Sequence, residues 1–301
     1  MTWRQLGHGG PTLSQIAYGT MRLVDDPDRP RPSELLLQLH DGGIDTHHSS
    51  SEYESYPLYR RALRVVGRTG RTIKHIVKLA EPSFDDVVFD ADRLRSAIDQ
   101  RLLELETDHL DVVQWMIRTP NPMCPRGPIE VLHNQRGDIA GVFEELKRSG
   151  KVGEFAIFPY TNRFARATQH ELGPTALCTY LSLFERESRE LVRIGRPFIA
   201  LRPFAGATPD VVNAPESIYI EPDADRRYEA ALRYPLLHPD VATTVVSVNR
   251  PQHVQLAIDV AQTAEPDLSA FGRWSERLDK RDSERPVVGD SFSTSAEVQV
   301  A

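Results

Sequence analysis

No stretch of this 301-residue chain approaches the roughly 18 consecutive apolar residues that a membrane-spanning helix needs, so no transmembrane helix is expected. Cysteine is nearly absent. The two present, Cys124 and Cys178, are too few for a disulfide framework and have no partner at metal-binding spacing, so they are expected to be unpaired thiols in a reducing compartment. The formal charge of -7 has no block of one sign behind it and no basic stripe, which excludes nucleic acid or an anionic membrane as the main partner and leaves a small molecule. The opening Met1-Thr2-Trp3-Arg4-Gln5-Leu6 lacks the apolar core of a secretory signal, and the chain is read as soluble and cytoplasmic.

What is present is alternation. From Ser14 onward, short apolar runs take turns with longer segments of helical period, the signature of parallel βα units. Strands are predicted at 15–19, 43–48, 72–79, 110–116, 154–158, 175–181, 197–202 and 243–247. Helices are predicted at 32–41, 57–66, 91–105, 138–149, 163–171, 188–194, 223–237 and 251–264. The one-faced apolar recurrence is clearest in Leu94, Ile98, Leu102 and Leu105. Pro32-Ser33-Glu34 opens one helix, and Gly150 follows the basic Lys147-Arg148 turn that closes another.

Eight strands alternating with eight helices predict an α/β fold, a closed (β/α)8 TIM barrel rather than an open doubly wound sheet. Ahead of it, Trp3 to Leu13 with Gly7 and Gly9-Gly10 predict a small hairpin across the barrel floor. Residues 1–278 read as one barrel domain. The segment 279–301 lacks a core pattern and reads as a flexible extension.

The segment Gly43-Ile44-Asp45-Thr46-His47-His48-Ser49-Ser50-Ser51-Glu52-Tyr53 ends a strand in polar residues, and Tyr53 arrives just before a helical run. Barrel enzymes keep their chemistry at such strand ends. Several other stretches combine with it: Leu6-Gly7 and Ala17-Tyr18-Gly19-Thr20-Met21-Arg22, Leu105-Glu106-Thr107-Asp108 leading into Leu110-Asp111-Val112-Val113-Gln114, Ser149-Gly150-Lys151-Val152, and Ile199-Ala200-Leu201-Arg202-Pro203-Phe204-Ala205-Gly206. In order and spacing these resemble the aldo-keto reductase family across nearly the whole barrel. The resemblance implies reduction of a small carbonyl compound by hydride from NADPH, with a catalytic Asp, Tyr, Lys and His. In that set the Tyr hydroxyl donates a proton to the developing alkoxide while a Lys ammonium, held by the Asp, lowers the Tyr pKa.

Tyr53 and Lys78 fall on the Tyr and Lys positions. The Asp position is filled by His48 unless a three-residue insertion returns it to Asp45, and Met116 stands where the His is expected. Arg118, two residues on and on the same side of an extended strand, is placed either to act as a cationic donor or anion contact, or to pair with a loop carboxylate. If His48 replaces the acid, Lys78 loses its negative partner, which predicts a lowered pKa and a role as base. The adjacent His47 and His48 point to opposite faces of a strand, which argues against a shared metal ion.

For the cofactor, the resemblance implies contacts from Thr20, Met21, Cys178, Arg202, Ser247, Asn249 and Arg250. The last two lie at a helix N-terminus suited to a phosphate, although Arg250 reads equally as a solvated cation. Phe158-Pro159 replaces the customary Ser-Asn pair, Cys178 stands near the usual Gln, and Ala257 stands near a common adenine-contacting Asn. Two further readings stay open on the same scaffold. One is a cofactor-independent lyase, isomerase or cyclase using Tyr53, Lys78 and His48; the other is a non-catalytic binding or regulatory subunit. The proline-rich stretch 121–128 is expected to shape one pocket wall.

Overall fold

The computed structural model describes residues 3–79, 89–117, 126–159, 161–183, 186–204 and 224–263. The tail from 279, Cys124 and Arg118 lie outside the described residues. Strands β1 (Trp3–Gln5) and β2 (Thr12–Ser14) pair antiparallel as the expected hairpin. Its turn needs positive φ at Gly7 (68°) and Gly9 (80°), a conformation that costs glycine nothing.

The barrel follows. Its strands are β3 (Ile16–Gly19), β4 (Thr46–Ser50), β5 (Lys74–Lys78), β6 (Leu110–Trp115), β7 (Val152–Ile157), β8 (Ala176–Tyr180), β9 (Phe198–Leu201) and β10 (Val241–Val246). All pair in parallel with their sequence neighbours, and β10 closes onto β3. All eight predicted strands are present in the predicted order. The described helices are α1 (Pro32–Asp41), α2 (Tyr56–Gly67), α3 (Ala91–Leu105), α4 (Arg126–Arg148), α5 (Asn162–Leu172), α6 (Arg186–Val192), α7 (Ala224–Arg233) and α8 (Pro251–Gln262). None of them is long and apolar enough to cross a membrane.

Two helices differ from expectation by more than two residues at an end, for identifiable reasons. The predicted 138–149 is only the second part of α4, which bends at Gln135 (φ -116°). The Gln135 side chain there leaves the helix surface to bond both the N–H and the C=O of Phe89, at 2.8 and 3.0 Å. The predicted 223–237 stops at Arg233. Pro235, lacking an N–H, cannot continue an α-helix and instead opens the short 3-10 turn Pro235–Leu237.

Apolar side chains form two cores. The larger lies between strands and helices, where Phe143 stacks on Phe155 at 3.8 Å and meets Trp115 edge-on at 5.2 Å. The smaller fills the barrel with Ala17, Ile76, Val112, Ala156, Ala176, Cys178 and Ile199, and the hairpin's Leu6 and Leu13 close it from below. Between α5 and the start of β8 sits a fully buried arginine with no carboxylate partner among the described residues. Arg196 donates to the carbonyls of Thr175 (2.6 Å) and Ala165 (2.8 Å) and to the hydroxyls of Thr168 (2.9 Å) and Thr175, tying α5 to the start of β8. Burial pushes its pKa down to about 10.

Strand β4 is the exception to this apolar pattern. All five of its residues, Thr46, His47, His48, Ser49 and Ser50, are buried, and none is apolar. At its start, Ser14 and Thr46 bond reciprocally: the Ser14 N–H donates to Thr46 Oγ1 at 2.9 Å, and the Thr46 N–H donates to Ser14 Oγ at 3.3 Å.

Candidate active site

The register of the barrel brings Ser50, Lys78 and Gln114 side by side at the C-terminal ends of β4, β5 and β6. A turn then projects the next residues back over this wall. Ser50 makes the turn: its hydroxyl accepts from the Glu52 N–H at 3.3 Å and its carbonyl from the Tyr53 N–H at 3.2 Å. The other end is fastened by Ser55, whose hydroxyl donates to the Thr20 carbonyl at 2.7 Å. The result is a compact loop in which Glu52 and Tyr53 both face Lys78.

Lys78 Nζ lies 5.6 Å from the centre of the Tyr53 ring and 2.7 Å from Glu52 Oε2. The expectation that Lys78 has lost its acid is therefore corrected. The partner comes from the loop instead of the strand, which is why matching residues to strand positions missed it. An acid directly before the candidate tyrosine was the available signal.

His48 and Asp45 have very different places. Asp45 stands at the opposite end of β4, where its carboxylate accepts from Trp3 Nε1 at 3.3 Å and lies 3.8 Å from Lys74. His48 faces into the barrel one step below Lys78, with its ring 6.3 Å from that of Tyr53. Its Nε2 is 2.7 Å from Gln114 Oε1, while Gln114 Nε2 donates to the Cys178 carbonyl at 3.5 Å. That orientation of the amide makes its oxygen the acceptor, so Nε2 of His48 carries the hydrogen. Burial, reinforced by the Lys78 charge and opposed by the Gln114 bond, lowers the His48 pKa to about 4, and the ring is neutral at pH 7. Gln114 was not singled out in the sequence, because a lone polar residue in a strand reads as a surface position until barrel closure turns it inward.

His47 points outward, opposite to His48, with its Nδ1 3.1 Å from the Tyr59 hydroxyl on α2. Among the described residues no three His, Cys, Asp or Glu side chains are grouped to hold a metal ion. Met116 and Phe158 are buried and form walls, with Phe158 edge-on to Tyr180 at 5.3 Å. Cys178 is fully buried within the barrel, and burial raises its thiol pKa.

Opposite Lys78, four strands around the ring, β9 leads directly into Arg202. Arg202 has a left-handed backbone (φ 54°), unusual for a non-glycine residue, and its guanidinium stacks on Tyr180 at 4.9 Å. Three adjacent strands, β9, β10 and β3, thus lead to exposed arginines: Arg202, Arg250 at the start of α8, and Arg22 in the 3-10 turn Thr20–Arg22. Among the described residues none of the three has a carboxylate partner. The first N–H groups of α8 receive no side-chain cap. Asn249 donates to the Arg22 carbonyl at 2.6 Å and Ser247 to the Gly19 carbonyl at 2.7 Å, joining β10 to β3. A Cβ on Gly19 would come within 2.9 Å of Ser247 Oγ, so any larger residue there would displace the Ser247 side chain. Thr20 has a buried hydroxyl without a partner among the described residues, whereas Met21 is 60 % exposed.

No protein-family model matches the chain. A curated 6-dehydroglucose reductase of Novosphingobium aromaticivorans is 28 % identical over 189 residues, 57 % of this chain and 56 % of that protein. The chain spans about half the length of the curated relatives it matches. Among solved structures, the holo form of aldo-keto reductase AKR11C1 from Bacillus halodurans has a TM-score of 0.70 at 18 % identity, covering 92 % of this chain and 96 % of that one. An aldo-keto reductase of Klebsiella pneumoniae in complex with NADP and acetate has a TM-score of 0.66 at 17 % identity, covering 93 % and 95 %. The solved structures share the (β/α)8 fold of this chain.

Proposed function

We propose that this chain, as an aldo-keto reductase-type oxidoreductase, reduces the carbonyl group of a small molecule with NADPH. The observation that carries the reading is the Lys78 ammonium held 5.6 Å from the Tyr53 ring at the mouth of the barrel. Tyr53 donates its hydroxyl proton to the carbonyl oxygen as negative charge develops there. The Lys78 charge favours the phenolate left behind, lowering the cost of that transfer. His48, neutral and donating its Nε2 hydrogen to Gln114, holds the wall beneath and delivers no proton at pH 7. Met116 has no proton to give, which leaves this step to Tyr53.

The arginine belt supports a phosphate-bearing cofactor. Arg22, Arg202 and Arg250, together with the uncapped start of α8, form a cationic corner at the ends of β9, β10 and β3. Arg202, Arg250, Asn249 and Ser247 would hold the phosphates there, with Thr20 and Met21 beside them. The solved neighbour in complex with NADP lends the same support. The group's own contribution is the hydride for the carbonyl carbon.

The ion pair to Glu52 disfavours Lys78 as a free base, which supports the reductase reading over the lyase, isomerase or cyclase alternative. Titrating NADPH against the protein, followed by heat or fluorescence, tests the reading. Binding, with a Tyr53→Phe variant that still binds but turns over about 10²–10⁴-fold more slowly, is expected. No binding at millimolar NADPH would refute it.

A further inference from the structure

We propose that Glu52 is the positioning residue that holds Lys78 against Tyr53 and offsets its charge, a carboxylate supplied by the loop where the barrel strand offers none. The proposal rests on the role given to Tyr53 and Lys78 above.

Four observations carry it. The strand position level with Lys78 on β4 is Ser50, which has no charge, and the position below it is the neutral His48. Asp45 is used at the other end of β4, by Trp3 and Lys74. Glu52 meets Lys78 Nζ at 2.7 Å, the two side chains being 28 % and 23 % exposed. The loop is not free to wander, because Ser50 fixes the Glu52 and Tyr53 N–H groups and Ser55 anchors the far side to Thr20.

Two functions follow from this geometry. Lys78 has a long flexible stem with several rotamers, and a charge-assisted bond at one end selects the rotamer that lies by the Tyr53 ring. The carboxylate also cancels part of the positive field that Tyr53 feels, so the acidity of the phenol is a balance between Lys78 and Glu52. Because donor and counter-ion are consecutive residues, one turn places both of them against Lys78.

The test is the titration of Tyr53 itself, read by NMR on protein carrying 13C-labelled tyrosine and assigned with a Tyr53→Phe variant, so that no cofactor is required. In Glu52→Gln the side chain can still accept from Lys78 but no longer offsets its charge. The Tyr53 midpoint is expected to fall by about one pH unit. Glu52→Asp keeps the charge and is expected to stay near the wild-type midpoint, while Lys78→Met is expected to raise it. If the protein turns over carbonyl substrate, the limb of the pH–rate profile on which the donor loses its proton moves with the midpoint. A merely structural Glu52 would not shift it. An unchanged Tyr53 midpoint in Glu52→Gln would overturn the proposal and leave the reductase reading intact. A shifted midpoint in a protein that binds no NADPH would uphold the ion pair's role and remove the reductase reading alone.

Discussion

Lowering the pH from 8 to 5 should remove about 6 kcal/mol of folding stability, through three buried histidines. Burial, with neighbouring histidines or Lys78 acting in the same direction, lowers the pKa of His47 to about 3 and those of His48 and His75 to about 4. In the unfolded chain each returns to about 6.5. A base whose folded pKa is depressed contributes stability that is present above the unfolded value. That contribution is lost as the pH falls from about 6.5 toward the folded pKa, because the unfolded chain takes up protons that the folded chain refuses. At pH 5 each histidine has lost about 1.5 pH units' worth, or about 2 kcal/mol. Asp111 works in the opposite sense, since burial raises its carboxyl pKa, but it supplies one proton against three. A typical domain holds only about 5–15 kcal/mol in all, so acid unfolding should begin near pH 5. Urea unfolding at pH 8, 6 and 5, followed by far-UV circular dichroism, measures the loss, and calorimetry in two buffers counts the protons. Uptake of fewer than one proton on unfolding between pH 6 and 5 would refute the reasoning.

Three other outcomes follow from single contacts. Gln114→Leu strands the Nε2 hydrogen of His48 and should lower stability by about 1–3 kcal/mol, while adding His48→Leu should recover most of it; equal urea midpoints for the single and double variants would count against the assigned hydrogen bond. Arg196→Met leaves two carbonyls and two hydroxyls without their donor and should cost at least about 3 kcal/mol in a thermal or urea melt, and Arg196→Lys should not rescue it because an ammonium lacks the fork that reaches all four. Arg250→Gln should weaken NADPH binding about tenfold and flatten its dependence on salt; unaltered affinity in titration calorimetry would remove Arg250 from the cationic corner.

The barrel was legible because alternation of strand and helix is a local property of the chain. Helix 91–105 matched at both ends for the same reason, its N-cap Asp90 accepting from the Arg93 N–H within one turn. What escaped depended on contacts between distant segments. The bend of α4 is made by Gln135 reaching Phe89, and neither residue announces the other. In the site, Tyr53 and Lys78 were legible as residue types at family positions. Glu52 was not, because its meeting with Lys78 is created by the turn at Ser50. Gln114 was not, because its inward direction follows from closure of the sheet.

The all-polar strand β4 has one more consequence. Residues 46–51 read Thr-His-His-Ser-Ser-Ser, so a slip of one residue along the neighbouring strands would often put a histidine in a histidine's place and a serine in a serine's. Elsewhere such an error is punished by sending apolar side chains into water, but here hydrophobic sorting has nothing to sort. A slip would nonetheless carry Glu52 and Tyr53 about 3.3 Å along the barrel and turn His48 away from Gln114. The alignment is set by directional bonds: the reciprocal pair of Ser14 and Thr46 at the floor, then His47 with Tyr59 and His48 with Gln114. The Ser14–Thr46 pair therefore works as an index mark, and a hydroxyl at the bottom of the barrel determines where the phenol arrives at the top.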